Sequence, residues 1–335
     1  MKRLAGIAAA LLLLLAGCGQ GAESSPQMAT TGVPAATAGL VYSEKSGAVG
    51  SGAARLLGEQ LSMNTGNAIL LESRSSQSAL EELRAGTVQL ALVTSQELAA
   101  ENHDLSLFTG PFLWKDYLNF STTANSDDLR EMVEVLLGPT LPVKVMGAFY
   151  GGSEDLLFRK EFLNDGDPSQ FTVGIEASSS VGAALSSAGF VITAMDPVQI
   201  EEAFVAGELD AMEGSWDDGA RLAPEMGEDI TLFLLPTHHR VDGVWLLADQ
   251  AWWNSLSQDL QVQIQDSVAA ALEISDEAVL TRLEKEAHQG SEAGVVELSD
   301  RYRDLEDQWE LYLEANYVNQ QNRRILEFCL AMRNS

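Results

Sequence analysis

Acidic side chains hold most of the positions in this sequence where chemistry could be done. The stretch 171–214, FTVGIEASSSVGAALSSAGFVITAMDPVQIEEAFVAGELDAMEG, alternates short β-rich runs with helix-forming runs. Strands spaced this way read as βαβ units of a parallel sheet, whose ligands sit at the carboxyl ends of the strands. Those ends carry Glu176, Met195, Asp196, Glu213 and Gly214. Trp114, Tyr150 and Trp216 stand at or near the ends of expected strands, where an aromatic ring either stacks on a ligand or fills core. His238 and His239 are adjacent, and neighbours on a strand point to opposite faces. A hydrogen-bonded strand end is therefore a simpler reading than a metal site. No Gly-x-Ser-x-Gly elbow, His-Glu-x-x-His helix or Gly-x-x-x-x-Gly-Lys-Ser/Thr loop occurs. With 49 Asp and Glu residues, a lone carboxylate pair carries no weight as an acid–base couple. Nothing here points to catalysis, a cofactor or a bound metal.

The elements that must position these residues follow from periodicity. Leu40-Val41-Tyr42, the run 68–71 and the run 88–93 are expected strands, separated by helices over 53–61 and 77–84. The Gly-rich turn 46–52 follows the first strand and opens a helix, with Glu72 about 20 residues on, the outline of a dinucleotide site. Its glycines fall as GxxGxG rather than GxGxxG, so a tight turn with backbone N–H groups facing a cleft is the simpler expectation. The apolar run 105–114 is expected to cross the domain as an extended segment broken by Gly110-Pro111. A capped helix over 125–137 leads to a fourth strand, 143–149, and Gly151-Gly152 reads as a hinge into a second lobe that contains 171–214. Runs 230–235 and 244–247 are expected strands on either side of Pro236-Thr237-His238-His239. From Gln250 onward the pattern is mostly helical, with a long helix over 257–288, a short strand at 295–298 and a helix from about 299 to 317.

Bulk properties bound the compartment and the partners. Met1-Lys2-Arg3, an apolar run to Leu15 and then Ala16-Gly17-Cys18 are the parts of a secretory signal, and the run is too short to span a bilayer comfortably. The Leu-Ala-Gly-Cys ending resembles a bacterial lipobox, in which Cys18 becomes the lipidated mature N-terminus; the alternative is an ordinary cleaved signal with an incidental cysteine. Both place the mature protein outside the cytoplasm. Residues 18–39 are rich in Gly, Ala, Ser, Thr and Pro and read as a flexible tether. Cys329 is the one other cysteine, so the core rather than a disulfide must hold the fold. Net charge is −29, and loss of residues 1–17 leaves 18 basic against 49 acidic residues, −31. Such a chain does not bind nucleic acid or an anionic membrane surface by charge.

Several motifs in order resemble the DctP-type solute receptors of tripartite ATP-independent periplasmic (TRAP) transporters. They are the Gly-rich start whose helix ends Leu61-Ser62-Met63-Asn64-Thr65-Gly66, the approach from Ala79 to Gly86 before a third strand, and Gly110-Pro111-Phe112-Leu113-Trp114. Gly189-Phe190, Asp196-Pro197 and Glu201 through Gly207 to Asp210 and Glu213 are similar to the family's GA-x-P…E-x-Y-x-AL-x-x-G-x-V-D-G-x-E. Thr237-His238-His239 and then Trp253 to Leu260 complete the set, which covers about residues 40–330. No single motif is specific; their order and spacing are.

The resemblance implies a two-lobed α/β fold of the periplasmic-binding-protein kind. Each lobe would be a mostly parallel sheet flanked by helices, joined to the other by crossing strands and a long helix. Lobe I would comprise 40–151 with 239–279, and lobe II 152–238 with 280–330. It implies an extracytoplasmic receptor, not an enzyme, that takes a small organic solute to a TRAP membrane permease; a stand-alone sensing lipoprotein or an exported enzyme is the rival. Family members place an arginine in the strand opening the second lobe to pair with a ligand carboxylate, and Gly174 stands at that position. A second family arginine falls opposite Glu154, and Gly214 replaces a frequent Asn. Arg159 and Arg74 are the cations able to substitute. With Glu176 and Glu213 nearby, the expected ligand is neutral, apolar or cationic rather than a dicarboxylate. Trp114, Tyr150, Trp216 and His238 complete the expected ligand-binding set.

Overall fold

The structure is a computed structural model that describes residues 36–161, 167–177, 179, 181–227, 230–298 and 303–333. It opens with β1 (Ala36–Ser43), α1 (Gly47–Asn64), β2 (Ile69–Ser76), α2 (Ala79–Arg84) and β3 (Leu90–Thr94). Helices α3 (Ser95–Glu101), α4 (Tyr117–Ala124) and α5 (Asp127–Leu137) lead into β4 (Val143–Phe158). A second alternating run comprises β5 (Thr172–Glu176), α6 (Val181–Ser187), β6 (Val191–Met195), α7 (Pro197–Ala206), β7 (Ala211–Gly214) and α8 (Trp216–Met226). β8 (Phe233–Asp249), α9 (Gln250–Ser255), α10 (Gln258–Glu292), β9 (Val296–Glu297), α11 (Arg303–Tyr317) and α12 (Arg323–Arg333) follow.

The described strands form one sheet in the order β2-β1-β3-β8-β4-β7-β5-β6, with β9 beside β8. β1 lies parallel to β2 and β3, and β5 lies parallel to β6 and β7. Between these two parallel sets runs the antiparallel pair β4/β8, of 16 and 17 residues. The first part of β8 pairs with the end of β4 and with β9, and its last part pairs with β3. Each long strand thus belongs to both halves of the molecule.

Their register slips between Tyr150 and Gly152 and again between Glu154 and Leu156. At the second slip Glu154 faces Arg240 while Leu156 faces Leu235, so Pro236, Thr237, His238 and His239 stand opposite Asp155 alone. Bulges of this kind bend a strand and sharpen its twist. Pro236, which has no N–H for a ladder, fits in the looped-out segment. Gly152 has φ 130°, a conformation that excludes side chains. The expected end of a strand at residue 149 and the expected gap between two strands around 236–239 are therefore bulges within continuous strands. Proline and glycine mark both bends and breaks, and pairing across the sheet decides between them.

Two other expectations change. Residues His103–Thr109 form a 3-10 helix rather than an extended segment, started by the Asn102 side chain, which accepts the Asp104 N–H. That turn sends Leu105, Leu107 and Phe108 into the core. β1 begins at Ala36, inside the stretch read as tether.

Apolar clusters cover both faces of each half. In the first half, Phe108, Trp114, Phe120 and Trp245 pack under α3–α5, and α12 joins this cluster through Ile325, Leu326 and Cys329. The opposite face packs Leu57 and Leu61 of α1 against Ile264, Val268 and Ala271 of α10. In the second half, α6 and α11 cover one face around Trp309, and α7 and α8 cover the other around Phe204. α10, about 50 Å long at 1.5 Å per residue, also reaches Trp216, whose indole lies on Gly290. It is a brace across both halves. Among the described residues no helix is long and apolar enough to cross a membrane.

Trp309 is fully buried and its Nε1–H donates to the Ala184 carbonyl oxygen at 3.1 Å. Trp309→Ala is expected to cost about 3–5 kcal/mol, read as a lower urea midpoint with an unchanged m-value.

Candidate functional site

Two hollows open at the carboxyl ends of the parallel strands, one on each half. The first, of about 170 Å³, is lined by Lys45 and Ser46 after β1, Thr94 and Gln96 at β3, and Gly151 and Asp242. The second, of about 210 Å³, is lined by Glu176 at the end of β5, Glu213 of β7, Met212, Ile200 of α7, Glu154 and Arg240. The segments 151–154 of β4 and 240–242 of β8 lie between them, supplying residues to each. The parallel topology places the strand ends here, and the bulges turn β4 and β8 so that their side chains complete the cleft.

Charge is organised around Arg240. Its Nη2–H donates to Glu154 Oε1 at 3.0 Å, directly across the β4/β8 ladder, and its Nε lies 3.9 Å from Asp242 Oδ2. Nε has no hydrogen-bond partner among the described residues. Burial pushes the Glu154 carboxyl up, the nearby Glu213 and Asp218 charges push the same way, and the Arg240 charge opposes them only partly. Glu213 goes the other way. Burial would raise it, but the His239 hydrogen bond, the Arg240 charge and the Glu176 backbone N–H outweigh burial and hold it below the usual carboxylate range.

His239 is fully buried. Its Nε2 lies 3.2 Å from Glu213 Oε1, and its Nδ1 lies 2.7 Å from the Thr237 hydroxyl oxygen. His238 lines a different hollow from the one that Glu213 lines. Its backbone, at φ 42°, is in the left-handed region. Its N–H donates to Asp155 Oδ1 at 2.7 Å, and its Nδ1 lies 3.1 Å from the same carboxylate and 3.3 Å from Ser153 Oγ. Burial would lower the His238 pKa, but the Asp155 hydrogen bond and charge, with Asp116 and Glu297 farther off, leave it raised. This side carries a larger hollow of about 550 Å³, lined by Tyr150, Ser153, Asp155, Trp216, His238 and Arg282. It shares Glu154 and Asp218 with the hollow at β5 and β7.

The residues singled out in the sequence separate into four groups. Glu154, Glu176 and Glu213 converge on one hollow. Tyr150, Trp216 and His238 line its neighbour, where burial pushes the Tyr150 phenol up to about 12. Trp114 is core, 2% exposed, stacked on Phe108 at 6.0 Å and edge-on to Phe120 at 5.2 Å.

The remaining group has structural partners away from the cleft. Arg74 lies on the outer strand β2 and pairs with Glu82. Arg159 donates to the carbonyl oxygens of Phe204 and, at 2.8 Å, Val205, closing the carboxyl end of α7 over Gly207; basic side chains are favourable there. Gly174 is buried under α7, and a Cβ on it would overlap the Leu209 Cδ1 methyl and lie 3.0 Å from Ile200 Cγ2. Cys18 lies outside the described residues.

Sequence reasoning did not single out Arg240 or Asp155. Arg240 immediately follows Thr237-His238-His239, which was a signal. Its place opposite Glu154 depends on a four-residue loop-out that local pattern does not show.

Residues 72–321 match the family described as Bacterial extracellular solute-binding protein, family 7, DctP. No curated protein sequence matches the chain. Among solved structures, a TRAP periplasmic solute-binding protein from Rhodobacter sphaeroides in an apo open form is similar at TM-score 0.74 and 12% identity, covering 89% of this chain and 98% of that one. The ectoine-binding protein TeaA of the TeaABC TRAP transporter, in its apo state, is similar at TM-score 0.70 and 15% identity over 89% and 99%. A TRAP periplasmic solute-binding protein from Pseudomonas aeruginosa with bound L-malate is similar at TM-score 0.56 and 19% identity over 84% and 100%. These likenesses agree with the two-lobed α/β fold in which the cleft is set. With three quarters of its length matched, the chain belongs to the DctP family of bacterial extracellular solute-binding proteins.

Proposed function

We propose that this receptor takes its solute in the cleft formed by Glu154, Glu176, Glu213 and Arg240 on one side and Lys45, Thr94 and Gln96 on the other, and delivers it to a TRAP-type membrane permease. It acts by binding and closure, without catalysis. The observation that carries the reading is convergence: side chains from β4, β5, β7 and β8 meet at the strand ends of both halves. Closure about β4 and β8 would bring the two hollows together. Lobe I is taken as residues up to 151 with 239–279 and α12, and lobe II as 152–238 with α11. Residues 1–17 are taken as a signal peptide and Cys18 as the lipid-bearing residue, joined to β1 by a tether, on the periplasmic or cell-surface side of the membrane.

A simple dicarboxylate is not the favoured ligand. Arg159 and Arg74 are held elsewhere, and the space beside Gly174 is filled. Native mass spectrometry of the purified protein is expected to show a retained small molecule released on denaturation. Titration calorimetry with succinate is expected to give no saturable heat. Gly174→Arg would not add a clamp; it forces apart Leu209 and Ile200, and a loss of about 1–3 kcal/mol in chemical denaturation is expected.

The depressed Glu213 carboxyl also sets a pH dependence. Its folded pKa lies below its unfolded value, so its stabilisation is complete above 4.5, the ordinary glutamate value, and is lost as pH falls through the folded value. The Tm difference between wild type and Glu213→Gln is expected to shrink as pH falls below 4.5, measured by thermal denaturation across acid buffers.

A further inference from the structure

We infer that the solute is an organic cation, a protonated or quaternary ammonium group on a small apolar body, with Glu213 and Glu154 as the residues that select it. The inference rests on the cleft assigned above and names its ligand class. Three observations carry it.

Charge is the first. The hollow at β5 and β7 presents Glu154, Glu176 and Glu213 against one guanidinium, Arg240. At its rim Glu201 and Asp218 are held by Arg221, with contacts of 2.7 and 3.1 Å. The facing hollow adds Lys45 and Asp242, which balance. Closing the lobes strips water from carboxylates that outnumber the guanidinium, and drawing like charges together out of water is unfavourable. A cation offsets that excess; a dicarboxylate enlarges it.

Arg240 is the second. Its Nη2–H is bound to Glu154 directly across the ladder, so a ligand carboxylate would share this guanidinium with Glu154. A carboxylate added there would stand beside Glu154 in the same hollow, and bringing like charges together out of water is unfavourable. Glu213, in contrast, is backed by His239 and Thr237, so its carboxylate is oriented before any ligand arrives. Preorganised acceptors bind without first giving up conformational freedom.

The third is the rest of the wall. Pro197, Ile200 and Met212 line the same hollow beside the carboxylates. An apolar wall suits the carbon skeleton of an alkylammonium and offers nothing to a hydrated metal ion. Among the described residues no group of three or more His, Cys, Asp or Glu side chains is arranged to hold a metal. Carboxylates placed for charge, without the convergence a metal requires, fit an organic cation.

The test is titration calorimetry of the purified protein, stripped of retained solute by reversible denaturation, with butylammonium, choline and succinate. Saturable binding of either ammonium probe without succinate binding is expected. Glu213→Gln should weaken ammonium binding about 10- to 100-fold, the usual consequence of losing one charged partner, while Glu213→Asp, which keeps the charge, should retain most of the affinity. Circular dichroism confirms that each variant is folded, and Glu154→Gln is the second probe should Glu213→Gln not fold. Absence of binding by both ammonium probes overturns the assignment, as does ammonium binding unchanged in both Gln variants. A retained solute that proves anionic or neutral also overturns it, yet leaves the receptor reading intact. That reading itself falls if no retained or added solute changes the radius of gyration in small-angle scattering.

Discussion

The carboxylate of Asp155 and the backbone N–H of His238 make the contact on which the rest of the site depends. Four residues of β8 stand opposite this one residue of β4, and a loop-out of that size would otherwise leave its backbone groups without ladder partners. Asp155, 6% exposed, fills the opening and accepts the His238 N–H at 2.7 Å. A hydrogen bond to a buried charge is worth more than one between neutral groups, which helps hold His238 at a positive φ that a non-glycine residue seldom adopts. With the loop-out pinned, Thr237 and His239 face Glu213 and the next residue, Arg240, falls across from Glu154. Without it the register would not bring these side chains together.

That arrangement lies where the two parallel strand sets join. β4 and β8 are shared by both halves, and two of their three register slips fall within residues 150–156 of β4. A strand with interrupted ladder bonds is easier to flex than a regular one, so the site and the hinge are built from the same irregularity. α10 limits the motion from behind, since it packs on α1 at one end and carries Trp216 on Gly290 near the other. In the closure proposed above, the bulged strands would be the elements that turn and α10 would follow. The burial that pushes up the Glu154 carboxyl belongs to the same economy of space: a charge is kept in a partly closed cleft, beside a guanidinium that compensates it incompletely. Sites tuned for a ligand commonly hold titratable groups away from their ordinary values.

The arginines show how one residue type is put to different uses by context. Arg159 closes a helix end, Arg74 pairs on an outer strand, Arg221 ties α8 to Glu201, and Arg240 balances the cleft. The sequence does not distinguish these uses, because each depends on what the guanidinium meets across a strand or helix. Trp114 carries the same lesson. Its position beside a strand end suits a ligand platform as well as core, and stacking on Phe108 and Phe120 makes it core.

Local pattern by itself determined the alternation of strands and helices, the lobe core at 171–214, the long helix and the acidic strand ends at Glu176 and Glu213. These follow from hydrophobic period and turn residues, which act within a few positions of one another. Motif order carried the family. Only the tertiary structure decided that β4 and β8 run unbroken through their bends, that α12 packs with the first half, and that Arg240 rather than Arg159 or Arg74 meets the carboxylates. The reason is physical. Register across a bulged ladder is set by which strands lie side by side, and those partners are 86 positions apart in the chain for Glu154 and Arg240. No local period reports a contact at that separation.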